Sequence, residues 1–166
     1  MNEQHYLKSS YREKLIEHLF TGALLKQAWL NGTCALEIAK PEVDNQGYDI
    51  IAECKGIIRH IQLKTSHRKA NAAKQNIHIA LAGKPSGCVI WIYFDEDTMA
   101  LGPFLYYGAR AGEALPSLDG FKIAKHTKGD ADGVKKERPA IRQVPKAKFM
   151  KYDTLEELYN QLFMAK

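Results

Sequence analysis

The stretch that decides the fold is Tyr48–Thr65, YDIIAECKGIIRHIQLKT. Its first half, Tyr48 to Cys54, reads as a strand, Lys55-Gly56 as a short turn, and Ile57 to Thr65 as a second strand, so that the two make a β-hairpin. Period-two alternation sorts the later strand into two faces. Ile57, Arg59, Ile61, Leu63 and Thr65 form the face expected to meet the core. Ile58, His60, Gln62 and Lys64 form the other, with His60, Gln62 and Lys64 in a row on one surface. Asp49 opens the earlier strand, and in a hairpin the start of the first strand lies beside the end of the second. Asp49 and Lys64 are therefore expected to meet at one end of the hairpin, with Gln62 beside them. An edge strand that carries Lys to discourage pairing would give the same composition without any chemistry.

Working outward, Leu15, Ile16, Leu19, Phe20, Ala23 and Leu24 recur at helical spacing. They predict a helix capped by Ser9 or Ser10, running to about Leu30 and ending at Asn31-Gly32. Thr33–Ala39 reads as a strand, and 42–47 as turn-rich. Cys88–Phe94 is the strongest strand, buried on both faces, with Trp91 and Tyr93 in the core. Leu101–Tyr107 is expected to pair back onto it, with at most one of Tyr106 and Tyr107 facing the core. Ile77–Ala82 is ambiguous between strand and helix, and 108–148 reads as irregular. A last helix runs from Thr154 to Phe163, with Asp153 or Thr154 as its cap. The class is α/β: a helix, a mixed four- to five-stranded sheet whose hairpin carries the site, and a C-terminal helix. One domain over 1–166 is expected, with a core of about 9–107, a basic segment of about 108–150 and the helix at about 154–164.

The net charge of +5 is unevenly spread. Residues 55–74 carry six basic groups and no acidic one, and residues 121–151 carry ten basic and three acidic. The remainder of the chain is net acidic, so two basic blocks stand out, a pattern that suits a polyanion such as nucleic acid. His67, Arg68 and Lys69 follow directly on Lys64 and are candidate phosphate contacts. Lys128, Lys135 and Lys136, in a Gly- and Lys-rich stretch, are candidates for a loop that orders on a phosphate backbone. No apolar run is long enough for a membrane span. Three widely spaced cysteines argue against a disulfide framework and for a reducing, cytoplasmic setting. No glycine-rich phosphate loop precedes Lys64-Thr65, and the histidines show no paired metal-ligand spacing.

Asp49, then Gln62-Leu63-Lys64 on the next strand, after a helix bearing Glu13 and Glu17, resembles the PD-(D/E)XK nuclease superfamily. The resemblance covers about Ser9 to Phe94. It implies a restriction-endonuclease-like core of a helix, a three-stranded antiparallel meander, a helix and a further strand. It also implies Mg²⁺-dependent hydrolysis of phosphodiester bonds in DNA, duplex or branched, with Mn²⁺ as a substitute. Asp49 and Glu17 or Glu13 would bind the metal, Gln62 would supply or orient an oxygen ligand, and Lys64 would assist the attacking water. Glu13 and Glu17 share a helix face, with Glu13 expected nearer the apolar stripe. Gln62 departs from the family pattern by standing where an acid is usual, and no proline precedes Asp49. The departure at Gln62 keeps a second reading open, a nuclease-fold protein that binds DNA without cutting it. A third is a protein-interaction module with basic patches. Cutting both strands of a duplex calls for two sites, which leaves a homodimer open.

Overall fold

The computed structural model describes residues 3–164. A five-residue helix, α1 (Glu3–Leu7), leads into the long α2 (Ser9–Leu30). Ile16, Phe20, Leu24 and Ala28, spaced by four, form its buried stripe. Lys8, with no side-chain hydrogen bond, precedes the helix in place of the expected serine cap. Its end is as the sequence predicts: Asn31 closes it and Gly32 follows at φ +69°, a conformation glycine adopts at low cost.

Three strands then run antiparallel: β1 (Leu36–Ala39), β2 (Ile50–Cys54) and β3 (Ile57–His67). The β2–β3 turn is Lys55-Gly56, both at positive φ, the twist a two-residue hairpin favours. After β4 (Lys74–His78) and a single 3₁₀ turn, β5 (Gly87–Phe94) returns parallel to β3. That crossover, a short strand and a turn where a helix is implied by the resemblance, resolves the ambiguous 77–82 stretch into both. β6 (Leu101–Gly108) pairs antiparallel with β5, and β9 (Met150–Tyr152) with β6. The order is β1-β2-β3-β5-β6-β9, six strands and mixed, one more than expected.

A second sheet, β4-β8-β7, is built from β7 (Lys122–Lys125) and β8 (Glu137–Pro145) beside β4. These two strands lie inside the segment expected to be irregular. Their sequences, with Pro139 and Pro145 and a register shift between Ile123 and Ala124, carry little intrinsic strand signal. Packing against the larger sheet supplies what propensity does not.

The larger sheet is therefore covered on both faces. On one, α2 and α3 (Leu155–Phe163) cover Ile61, Ile90, Ile92, Phe104 and Tyr106. On the other, Ile77, Leu81 and Val144 cover Val89, Trp91, Leu105 and Tyr107. This explains why every residue of β5 is buried, and why Tyr106 and Tyr107, on opposite faces, are both buried where only one was expected. Thr154 caps α3 through a reciprocal pair: its hydroxyl accepts from Glu157 N–H, and the Glu157 carboxylate accepts from Thr154 N–H. β3 pairs with β2 over Ile57–Ile61 and with β5 over His60–His67, so beyond Ile61 it is paired on the β5 side only. Among the described residues no helix is long and apolar enough to cross a membrane.

Candidate functional site

β2 stops pairing with β3 at Ile50–Ile61, while β3 continues to His67. The later half of β3 thus has an edge that β2 does not cover, and Asp49 closes the ladder there. Its N–H donates to Ile61 O at 2.8 Å, and its Oδ2 accepts from Leu63 N–H at 2.6 Å. The two bonds bracket Gln62. Beside this edge lies a cleft of about 490 Å³. From β3 it takes Leu63, Lys64 and Thr65, from α2 Ser10, Glu13, Lys14 and Glu17, and from the loop before β2 Asp44 and Asp49. Gln75 of β4 also lines it. As hairpin closure requires, Asp49 and Lys64 share one cleft, and both candidate glutamates join them there.

Burial acts on both central groups in opposite senses of charge. It pushes the Asp49 carboxyl above its ordinary range, against the Leu63 N–H and the Lys64 charge, which favour the anion, while Asp44 and Glu17 add to the rise. It pushes the Lys64 ammonium below its ordinary range, opposed by Asp49 and reinforced by Arg138 of β8. For Lys64, the second sheet lies on the β3 face that carries Gln62 and Lys64 and brings Arg138 to it, a face that strand alternation alone leaves as an open surface. Displaced titration of an acid and a base in one cleft is common at catalytic sites, though ion-pair networks produce it as well.

Glu13 and Glu17 differ in the reverse sense to that expected. Glu17 belongs to the buried side of α2 and Glu13, one turn earlier, is exposed. Burial would raise the Glu17 carboxyl, but hydrogen bonds from Lys40 and Lys14 outweigh it and hold the group below its ordinary range. Lys14 Nζ lies 3.1 Å from Oε2, and Lys40 Nζ pairs with Oε1. Glu17→Ala should leave two lysines facing each other and cost on the order of 1 kcal/mol, a fall in melting temperature of about 2–4 °C. Glu13→Ala should leave the melting curve where it is. Thermal melting checks both, and cleavage by the two variants tells which carboxylate serves the site.

Gln62 is half-buried and does not line the cleft; its Oε1 is buried and has no hydrogen-bond partner. Unsatisfied buried oxygens are uncommon, and an ion or water is one usual reason for them. The donors that line the cleft, the carboxylates of Asp44, Asp49, Glu13 and Glu17, are hard oxygens, which fit Mg²⁺ or Mn²⁺. Among the described residues no three His, Cys, Asp or Glu side chains form a ready-made metal cluster, so a cation here would need the amide and solvent oxygens.

The basic candidates divide. Arg68 is tied into the fold, donating to Gly102 O at 2.9 Å and lying 3.5 Å from Asp95. His67 lies 3.7 Å from Glu96. These interactions hold the β3 end to the turn after β5. Lys69 is exposed. Lys128, Lys135 and Lys136 are exposed in the β7–β8 loop, which ends next to Arg138. Sequence pattern did not point to Asp44, Lys14, Lys40 or Arg138.

No protein-family model matches the chain, and no curated protein matches it. Among solved structures, a bacterial homing endonuclease, I-Ssp6803I, is similar at 16% identity and a TM-score of 0.32. The match covers 74% of this chain and 85% of that one.

Proposed function

We propose that the protein is a metal-dependent nuclease that hydrolyses phosphodiester bonds of DNA. The observation that carries this reading is the meeting of Asp49, Lys64 and the α2 carboxylates in one cleft, with Asp49 and Lys64 displaced in opposite directions by burial. Asp49 and Glu13 or Glu17, which line the cleft, would hold Mg²⁺, and Gln62, outside that lining, would have to turn its amide oxygen into it to join them. Bound there, the ion would supply Lewis-acid chemistry, making water more acidic and stabilising charge on the phosphate. Lys64 Nζ, poorly solvated, donates hydrogen bonds to the phosphate oxygens or orients the attacking water, and a proton can leave it more readily than from an exposed lysine. Asp49, fixed by Leu63 N–H, keeps its second oxygen directed by the backbone.

A specific observation favours a second reading, binding without cleavage: Glu17 is already neutralised by Lys14 and Lys40, and Gln62 brings no charge. Incubation with plasmid, linear and single-stranded DNA, in Mg²⁺, Mn²⁺ and chelator, separates the two. Cleavage that chelator abolishes supports the nuclease. Binding with no product in any metal supports the alternative.

Gln62→Glu refines the test. A carboxylate in place of the amide adds charge at nearly constant volume, so half-maximal rate should come at lower Mg²⁺. A metal titration of the rate reads it, and an unchanged midpoint would remove Gln62 from the metal.

The exposed lysines make a separate prediction. For every phosphate that a lysine no longer neutralises, the slope of log K against log salt should become shallower by about 0.9 on duplex DNA. Lys135→Ala with Lys136→Ala should therefore reduce the slope by up to about two such steps, measured by anisotropy in Ca²⁺. An unchanged slope would put the loop off the backbone.

A further inference from the structure

α2 has a second exposed apolar face that nothing in the fold covers. Opposite the stripe Ile16, Phe20, Leu24 and Ala28 runs a stripe of Tyr11, Leu15, His18, Gly22, Leu25 and Trp29, at the three- and four-residue spacing of one helix face, and all six are exposed. Tyr11 is 75% and Trp29 74% exposed. Soluble monomers rarely leave several large apolar side chains open along one helix face. We propose that this face is where a second copy of the chain packs, α2 against α2, antiparallel.

The stripe is self-complementary. Positions 11 and 29, 15 and 25, and 18 and 22 are each equidistant from position 20. About a twofold axis there, Tyr11 meets Trp29 of the other copy, Leu15 meets Leu25, and His18 sits over Gly22. An isologous pair needs that reciprocity. The residue facing His18 is the smallest available, and nothing lies within 4 Å of where a Gly22 Cβ would be, so the centre has room for the imidazole and lets the helices approach. Two aromatic rings of about 150–250 Å² each, mostly exposed, together with Leu15, Leu19 and Leu25, offer on the order of 600 Å² per copy. The pair would bury about 1,200 Å², inside the range of stable interfaces. The cleft lies on the other side of α2, so pairing leaves it open, and the inference does not depend on the nuclease reading.

Sedimentation equilibrium of the full chain across the micromolar range tests it without nucleic acid. The expected mass is that of two copies, returning to one in Leu25→Glu and in Gly22→Arg, both at exposed positions, with wild-type melting of the single copies. In a Cys34→Ser background, His18→Cys mixed with Gly22→Cys should cross-link between the two variants and hardly at all in either alone. A single copy throughout overturns the proposal, including one that floats with lipid vesicles, which would make the face a membrane contact. Two copies that persist in both variants also overturn it.

Discussion

Asp49→Asn is expected to abolish DNA cleavage, by at least about 10²-fold, comparable to losing one transition-state donor, while the melting temperature holds or rises. The two halves of that result come from one geometry. An asparagine oxygen can still accept from Leu63 N–H, so the ladder closure survives. What disappears is a carboxylate that burial disfavours. Because the folded pKa of Asp49 lies above its ordinary value, its contribution to stability is present at low pH and is lost as pH rises through the folded pKa. At neutral pH the charged group is a cost to the fold, and Asn removes it. Lys64→Ala should lose a similar factor in rate. Lys64 is depressed, so as a cation it also costs the fold stability below its folded pKa, and its removal offsets part of the packing that goes with the side chain. Cleavage kinetics beside thermal melting read both outcomes. A variant that cuts at the wild-type rate, or whose loss of rate follows loss of fold, would remove these residues from the chemistry.

Arg59→Ala should produce the largest fall in stability. The side chain is fully buried in β3. Its partners are carbonyls at the end of α3 and one in the chain after β6. Nε donates to Leu162 O at 2.9 Å, Nη2 to Gln161 O at 3.1 Å and Nη1 to Ala109 O at 3.3 Å. The cation also lies against the Tyr106 ring, 6.0 Å from its centroid. A helix C-terminus presents unsatisfied carbonyls and a partial negative charge, which a guanidinium answers at several points at once. Truncation would take this donor from the Leu162 and Gln161 carbonyls, leave Ala109 O with the Tyr106 hydroxyl alone, and open a cavity, about 3–5 kcal/mol together, or roughly 10 °C or more in melting temperature. Arg59→Lys should recover little, since one ammonium cannot reach all three carbonyls. Chemical denaturation measures it; a loss under about 1 kcal/mol would show that solvent replaces the arginine.

The parts of the fold written in local pattern were legible, and those made by tertiary pairing were not. The hairpin, α2, β5 and α3 each carry a period, a cap or a turn residue that belongs to one conformation. β7 and β8 carry none: Lys122-Ile123-Ala124-Lys125 is too short, and prolines interrupt the partner. They are strands because Val144 and its neighbours cover a face of the larger sheet. The site divides in the same way. Hairpin closure alone brings Asp49 to Lys64. Asp44 reaches the cleft, and Lys40 the Glu17 carboxylate that lines it, through a stretch whose path no periodicity encodes, and Arg138 arrives on a strand the sequence did not reveal. Glu13 and Glu17 were rightly put on one face but in the wrong order of burial, which depends on where the sheet ends beneath the helix.

The Arg59 hydrogen bonds bear on the order in which the chain assembles. The guanidinium belongs to the hairpin that carries Lys64, yet two of its acceptors lie 102 and 103 residues further on. Until α3 docks, Ala109 O can answer Nη1, but Nε and Nη2 lack their carbonyls. The hairpin and α3 are therefore expected to lock together in one step. A form in which α3 has not docked should stay open to protease around β3.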